Sequence, residues 1–152
     1  MSSKHPQAPP FDNEQEVMTF LAKPQLARFC SHNPDGSIHA APIYYLYTGS
    51  EFLFGTQVLS RKVKNIQHDP QVTVLIDACE PVLQAVLAYG EAELDYEDVV
   101  EKRVRILERY YENPSAARAF AERLAKAWQT GIIHVRPTRM VTFDYSKPFL
   151  ID

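Results

Sequence analysis

The chain has 152 residues, 45% of them hydrophobic and 23% charged, with a formal charge of −3. That length suits one globular domain around one core, and the mild acidity gives no electrostatic reason to bind nucleic acid, whose protein partners carry a strong basic excess. Cys30 and Cys79 fit neither a disulfide framework nor a metal-ligand spacing, which points to a reducing cytoplasm, and no stretch reads as a signal peptide or a membrane span.

The proline-rich start is expected to be a flexible tail over residues 1–12, followed by one domain over residues 13–152. Asn13-x-x-Glu16 has the form of a capping box, and Val17, Phe20 and Leu21 repeat at helical spacing until Pro24. From Leu26 the pattern turns to β-rich runs. Leu26 to Ser31, Ile38 to Tyr47 and Glu51 to Thr56, separated by turns at Asn33-Pro34-Asp35-Gly36 and Thr48-Gly49-Ser50, read as a three-stranded meander. Ser60 caps a helical segment to His68, which Asp69-Pro70 ends. Gln71 to Asp77 alternates Val72, Val74 and Ile76 inward, and Leu83 to Leu94 follows as the next strand. Between Tyr96 and Gln129 the stripe Val99, Val100, Val104, Leu107, Tyr110 and Tyr111 is helical, and Asn113-Pro114 restarts a second helix. Ile132 to Val135 and Met140 to Tyr145 close the chain as two strands around Pro137. The fold expected is mainly β with α insertions: a barrel of six or more antiparallel strands, because an open sheet of that size leaves unprotected edges.

The segment Phe54-Gly55-Thr56-Gln57-Val58-Leu59-Ser60-Arg61-Lys62 joins a strand end to a helix start. Helix N-termini present free N–H groups and a partial positive charge, so Arg61 and Lys62 are disfavoured there on local grounds. An anion resolves the conflict, with the Thr56 and Ser60 hydroxyls, the exposed amides and the two cations as its partners. A solvated basic turn is the competing account. The histidines His32, His39, His68 and His134 lack zinc-site spacing, so no metal site is expected. Tyr44, Tyr45 and Tyr47 read as packing residues, and Trp128 shares a stripe with Phe120 and Leu124 that suits core packing or a dimer contact.

The order of Asp35-Gly36-Ser37-Ile38-His39-Ala40-Ala41-Pro42-Ile43-Tyr44, Phe52-Leu53-Phe54-Gly55-Thr56, Ser60-Arg61-Lys62-x-x-Asn65-Ile66, Asp69-Pro70-Gln71-Val72 and Gly90-Glu91-Ala92-Glu93-Leu94 resembles the pyridoxamine 5′-phosphate oxidase-like FMN-binding split β-barrels across residues 20 to 95. The resemblance implies a split barrel that dimerises with FMN at the subunit interface. It places the isoalloxazine ring beside His39, Ala40, Ala41, Pro42, Ile43 and Tyr44, brings Gly55 and Thr56 to the ribityl phosphate, and gives that phosphate to Ser60, Arg61 and Lys62. Asn65, with Lys64 on the same short helix, reads either as a bracket behind the phosphate or as a helix-ending polar face, and Gln84 lies near the position where the partner subunit's glutamine reaches the flavin. Small Ala40 and Ala41 let a flat ring approach the backbone, and Pro42 is tolerated at a sheet edge.

The resemblance loosens toward the end, where Phe143 replaces a tryptophan and the arginine and histidine signature for the vitamin B6 substrate is missing. It therefore implies a flavin-dependent oxidoreductase acting on another small organic substrate. A deazaflavin-dependent reductase, with Lys64, Arg103 and Arg105 along the coenzyme tail, and a non-catalytic flavin or haem binder are the alternatives. Arg136 and Arg139 read as a solvated strand face.

Overall fold

The opening helix forms where its caps predict it. In the computed structural model, which describes residues 9–149, α1 runs Glu14–Leu21. The Asn13 side chain accepts from the Glu16 amide at 3.0 Å, and the Glu16 carboxylate accepts from the Asp12 amide at 2.9 Å. Residues 1–8 of the expected tail lie outside the described residues. The rest of that tail is not loose, because Phe11 is buried against Phe20 at 5.4 Å between ring centroids, its amide donates to Thr142 Oγ1, and Asp144 N donates to Pro9 O at 2.7 Å. A large aromatic side chain that can reach the core draws its backbone in with it.

The strands are β1 (Ala27–His32), β2 (Ile38–Ile43), β3 (Leu46–Tyr47), β4 (Phe52–Gln57), β5 (Gln71–Ala78), β6 (Gln84–Asp95) and β7 (Thr130–Asp144), interleaved with α2 (Arg61–His68), α3 (Val99–Leu107) and α4 (Pro114–Ala127). They form one antiparallel seven-stranded sheet in the order β2-β1-β5-β6-β7-β4-β3. Strands β2 and β3 hold opposite edges of that sheet, yet only Tyr44 and Tyr45 separate them in the chain. Three Cα steps span at most about 11 Å, so the two edges must meet at this corner. The sheet is curled, as a split β-barrel requires.

Its interior is filled from alternate positions of each strand: Phe29 from β1, Val74 and Ile76 from β5, Val86 from β6, Phe52 and Phe54 from β4, Ile133 and Val135 from β7, all with no exposed surface. Each such side chain contributes about 1.5–3 kcal/mol by leaving water. The predicted inward set Val72, Val74 and Ile76 is the buried face of β5. Asn113 caps α4 by accepting from the Ser115 amide at 2.9 Å, with Pro114 at the first helical position, as read from the sequence.

Three sequence expectations are corrected. The run Ile38 to Tyr47 is two strands, because side chains from the turn after α3 take the backbone groups of Tyr45 out of the ladder. The Tyr45 amide donates to the Tyr110 hydroxyl at 3.1 Å, and its carbonyl accepts from Arg109 Nη1. The meander is therefore split into two hairpins, β1–β2 and a short β3–β4 pair across the Thr48-Gly49-Ser50 turn, and the other edge of β4 pairs with β7. Finally, the two closing strands are one, since the ladder passes Pro137 through a bulge at Thr138, whose hydroxyl donates to Tyr89 O at 3.1 Å. Gly90 makes the close approach there: a Cβ on it would lie 2.7 Å from the Arg136 carbonyl oxygen.

Candidate functional site

A cleft of about 390 Å³ opens where the β2–β3 corner, the floor of β4 and the helical insert meet. That is the volume class of small-molecule sites, roughly 300–1,000 Å³. The corner contributes Pro42, Ile43 and Tyr44, β4 contributes Gly55, and the insert contributes Arg103, Ile106 and Leu107 from α3 and the stripe Phe120, Leu124 and Trp128 from α4. The walls are apolar, and Arg103 is the charged group in the lining.

The corner is clamped by the turn that follows α3. Arg109 Nη2 donates to the carbonyls of Leu21 and Lys23 at 2.8 and 2.9 Å, and the Tyr110 hydroxyl donates to Gln25 O at 2.7 Å. The Tyr110 ring lies 4.2 Å, centroid to centroid, from Tyr44 and so braces one wall of the cleft. Burial raises the Tyr110 phenol above its ordinary value, keeping it a neutral donor. Tyr45 and Tyr47 pack in or against the core as expected, whereas Tyr44 is exposed and lines the cleft. Trp128 is not a core residue either: it is 51% exposed at the cleft rim, because α4 ends there with nothing opposite it.

At Gly55 the backbone is covered by one side chain. A Cβ on Gly55 would lie 2.9 Å from Arg103 Nε and 3.1 Å from its Cγ and Cζ, so the guanidinium rests in space that only glycine leaves open. Beside it, the buried Thr56 places Oγ1 3.3 Å from Ser60 Oγ. Ser60 occupies the N-cap position of α2, but its side chain makes no capping hydrogen bond, which leaves a hydroxyl and the first amides of α2 free for another acceptor. Arg61 is exposed and Lys62 half-buried. Burial and the nearby Arg103 guanidinium hold the Lys62 ammonium below the ordinary lysine value, and burial lowers Arg103 as well. No carboxylate among the described residues offsets either cation.

The remaining predicted residues divide. The β2 edge strand exposes Ala40 and Pro42 on one face and half-buries His39, Ala41 and Ile43 on the other, and Pro42 sits where an edge tolerates it. His39 lines a shallow depression with Asn33, Asp35 and Arg61, and its Nδ1 is buried without a partner. Asn65 is 1% exposed and not part of a surface polar face: its amide donates to Ser31 Oγ at 3.1 Å and Asn33 Oδ1 at 2.9 Å, tying α2 to the β1–β2 turn, while its Oδ1 has no partner. Gln84 lies apart from the cleft, half-buried beside Asp144 and α1. Arg136 and Arg139 are exposed on β7 as expected, with Arg139 over the Tyr89 ring.

Sequence reasoning weighed Arg103 only as a contact for a coenzyme tail and missed it as cleft floor. The signal was present, since Val99, Arg103, Ile106 and Tyr110 fall on one helical stripe, and the other three pack on Leu53 and Ile132 of the sheet. Among the described residues no group of three metal-ligating side chains converges, and no helix is long and apolar enough to cross a membrane.

A family model described as pyridoxamine 5′-phosphate oxidase matches residues 14–141. Among curated proteins none matches significantly. Similar solved structures include a conserved hypothetical protein of Mycobacterium tuberculosis, with a TM-score of 0.77 and 20% identity over 95% of this chain and 94% of that one. An F420 reductase aligns with a TM-score of 0.66 and 20% identity over 87% of this chain and 98% of its own. A FAD-binding protein from Mesorhizobium loti aligns with a TM-score of 0.63 and 15% identity over 91% and 96% of the two chains. At these identities the likeness concerns the fold.

Proposed function

Because the chain belongs to the pyridoxamine 5′-phosphate oxidase family, we propose that it is an FMN-dependent oxidoreductase acting on a small organic substrate. One observation carries the assignment. An apolar cleft floored by Gly55 adjoins a set of hydroxyls, helix amides and a half-buried, uncompensated Lys62, and such a pairing suits a flat ring joined to a phosphate.

The residues present fit that cofactor. At Gly55 the space that a Cβ would fill holds the Arg103 guanidinium, whose orphaned Nη1 supplies unused hydrogen-bonding capacity at the floor of the cleft. In this assignment Thr56, Ser60, Arg61 and Lys62 hold the phosphate, while Ala40, Ala41, Pro42, Ile43 and Tyr44 present backbone and side chains to the ring. Asn65 holds the α2 start against the β1–β2 turn. Bound FMN supplies the electron and hydride chemistry itself, so the protein needs no triad. The apolar residues of the insert exclude water from the cleft, and Tyr44, braced by Tyr110, fixes the width of its mouth.

The exposed rim formed by Leu26, Tyr44 and Trp128 calls for a cover, since ligand sites bury most of their ligand. We assign that cover to a second copy of the chain, with Gln84 reaching the partner's cofactor.

The test is the spectrum of freshly purified protein together with an FMN titration. A bound flavin is expected to absorb at about 450 nm and to be reduced by NADH or NADPH in stopped flow. No absorbance and no uptake of added FMN would refute the assignment, and flavin that is bound but never reduced would reassign the protein as a carrier. A parallel titration with the deazaflavin coenzyme is warranted by the F420 reductase among the fold relatives, and tighter binding of that coenzyme would displace FMN.

A further inference from the structure

We propose that Arg103, carried on the helical insert, is itself a ligand-binding residue that grips the phosphoryl group of whatever occupies the cleft; this rests on the assignment above and adds the insert to its anion seat. Arg103 stands on the face of α3 that is turned to the sheet. Its helical neighbours Val99, Ile106 and Tyr110 point at the sheet and pack on Leu53 and Ile132, so a residue between them is expected to be apolar. A charge there costs desolvation unless something offsets it.

Nothing in the described chain does. The flanking residues of α3 are paired elsewhere: Glu101 holds Arg118 in a bidentate contact at 2.8 and 2.9 Å, and Lys102 holds Asp95 at 3.2 Å. Arg103 Nη1 is buried with no hydrogen-bond partner. Arg109, six residues on, shows what a structural arginine does in this fold, since its guanidinium is spent on three backbone carbonyls. Arg103 instead lies across Gly55, facing the cleft, with Lys62 near enough for the two cations to repel. Two desolvated positive charges side by side destabilise the free protein, and a dianionic phosphoryl group between them offsets both. A guanidinium suits that group because its fork matches two phosphate oxygens.

The experiment compares wild type, Arg103→Met and Arg103→Lys with three probes: FMN, riboflavin (which lacks the phosphate) and inorganic phosphate. Binding is read by calorimetry and by the fluorescence of Trp128, the single tryptophan of the chain, which lines the same cleft. Phosphate is also read as a rise in Tm. Arg103→Met is expected to weaken FMN by about tenfold or more with riboflavin unchanged, to abolish the phosphate-induced rise in Tm, and to be partly rescued by Arg103→Lys. Equal loss of FMN and riboflavin would make Arg103 a wall of the cleft, and unchanged FMN affinity would remove it from the site; either result overturns the inference and leaves the FMN assignment standing. A wild type that ignores FMN but is stabilised by phosphate through Arg103 sinks the FMN assignment and keeps the anion seat. No response to any probe overturns both.

Discussion

Replacing Lys62 and Arg61 separately by methionine tests which cation the phosphate uses. The two are adjacent in sequence, but the fold half-buries Lys62 and leaves Arg61 exposed. A charge-assisted hydrogen bond in a partly desolvated site is worth about 1.5–3 kcal/mol, which is roughly ten- to 150-fold in Kd. An exposed ion pair is worth about 0–1 kcal/mol, or fivefold at most. Lys62→Met is therefore expected to cost FMN affinity at least tenfold, and Arg61→Met less than about fivefold. The stability of the free protein moves the other way. Burial and Arg103 place the folded-state pKa of Lys62 below the ordinary lysine value, so between those two values the unfolded chain holds more protons and stability rises with pH. Below that window the folded state carries the whole penalty, and above it the penalty is gone. Free Lys62→Met is thus expected to be more stable than wild type in urea at pH 7, with the advantage shrinking as the pH climbs through the window. Equal effects of the two substitutions on FMN, or a less stable Lys62→Met apoprotein, would refute the reasoning.

Gly55→Ala puts a Cβ 2.9 Å from Arg103 Nε, a flexible side chain that can move, so Tm is expected to stay close to wild type while FMN affinity falls severalfold; calorimetry and a thermal melt together check this, and unchanged affinity would separate Gly55 from the cleft's ligand. In the proposed dimer a second copy covers the exposed rim at Leu26, Tyr44 and Trp128, so analytical ultracentrifugation at micromolar concentration is expected to find flavin-loaded protein as a dimer. A fully loaded monomer would contradict that.

Much of the fold is legible because most of its signals are local. The Asn13 cap, the stop at Asp69-Pro70, the alternation of Val72, Val74 and Ile76 and the restart at Asn113-Pro114 each depend on residues a few positions apart, and each appears where expected. The misread features depend on distant partners. Nothing near Tyr45 says that Arg109 and Tyr110 will take its carbonyl and amide, so one strand is read where there are two. Likewise Pro137 reads as a break until Gly90, across the ladder, provides the close approach that lets β7 continue past the bulge. The pairing of β4 with β7 joins residues more than seventy positions apart, which no short-range pattern encodes.

The site divides along the same line, and the division bears on how the cleft works. Resemblance reaches the β2, β4 and α2 residues, which share one compact stretch of chain, and the fold brings Pro42, Ile43, Tyr44 and Gly55 to one cleft. The opposite wall comes entirely from the insert between β6 and β7. That insert is anchored to the same corner it faces, through Arg109 and Tyr110. Arg103 and the Tyr45 contacts thus sit on one short stretch of chain, α3 and the turn after it, which ties the floor of the cleft to the corner that forms its wall.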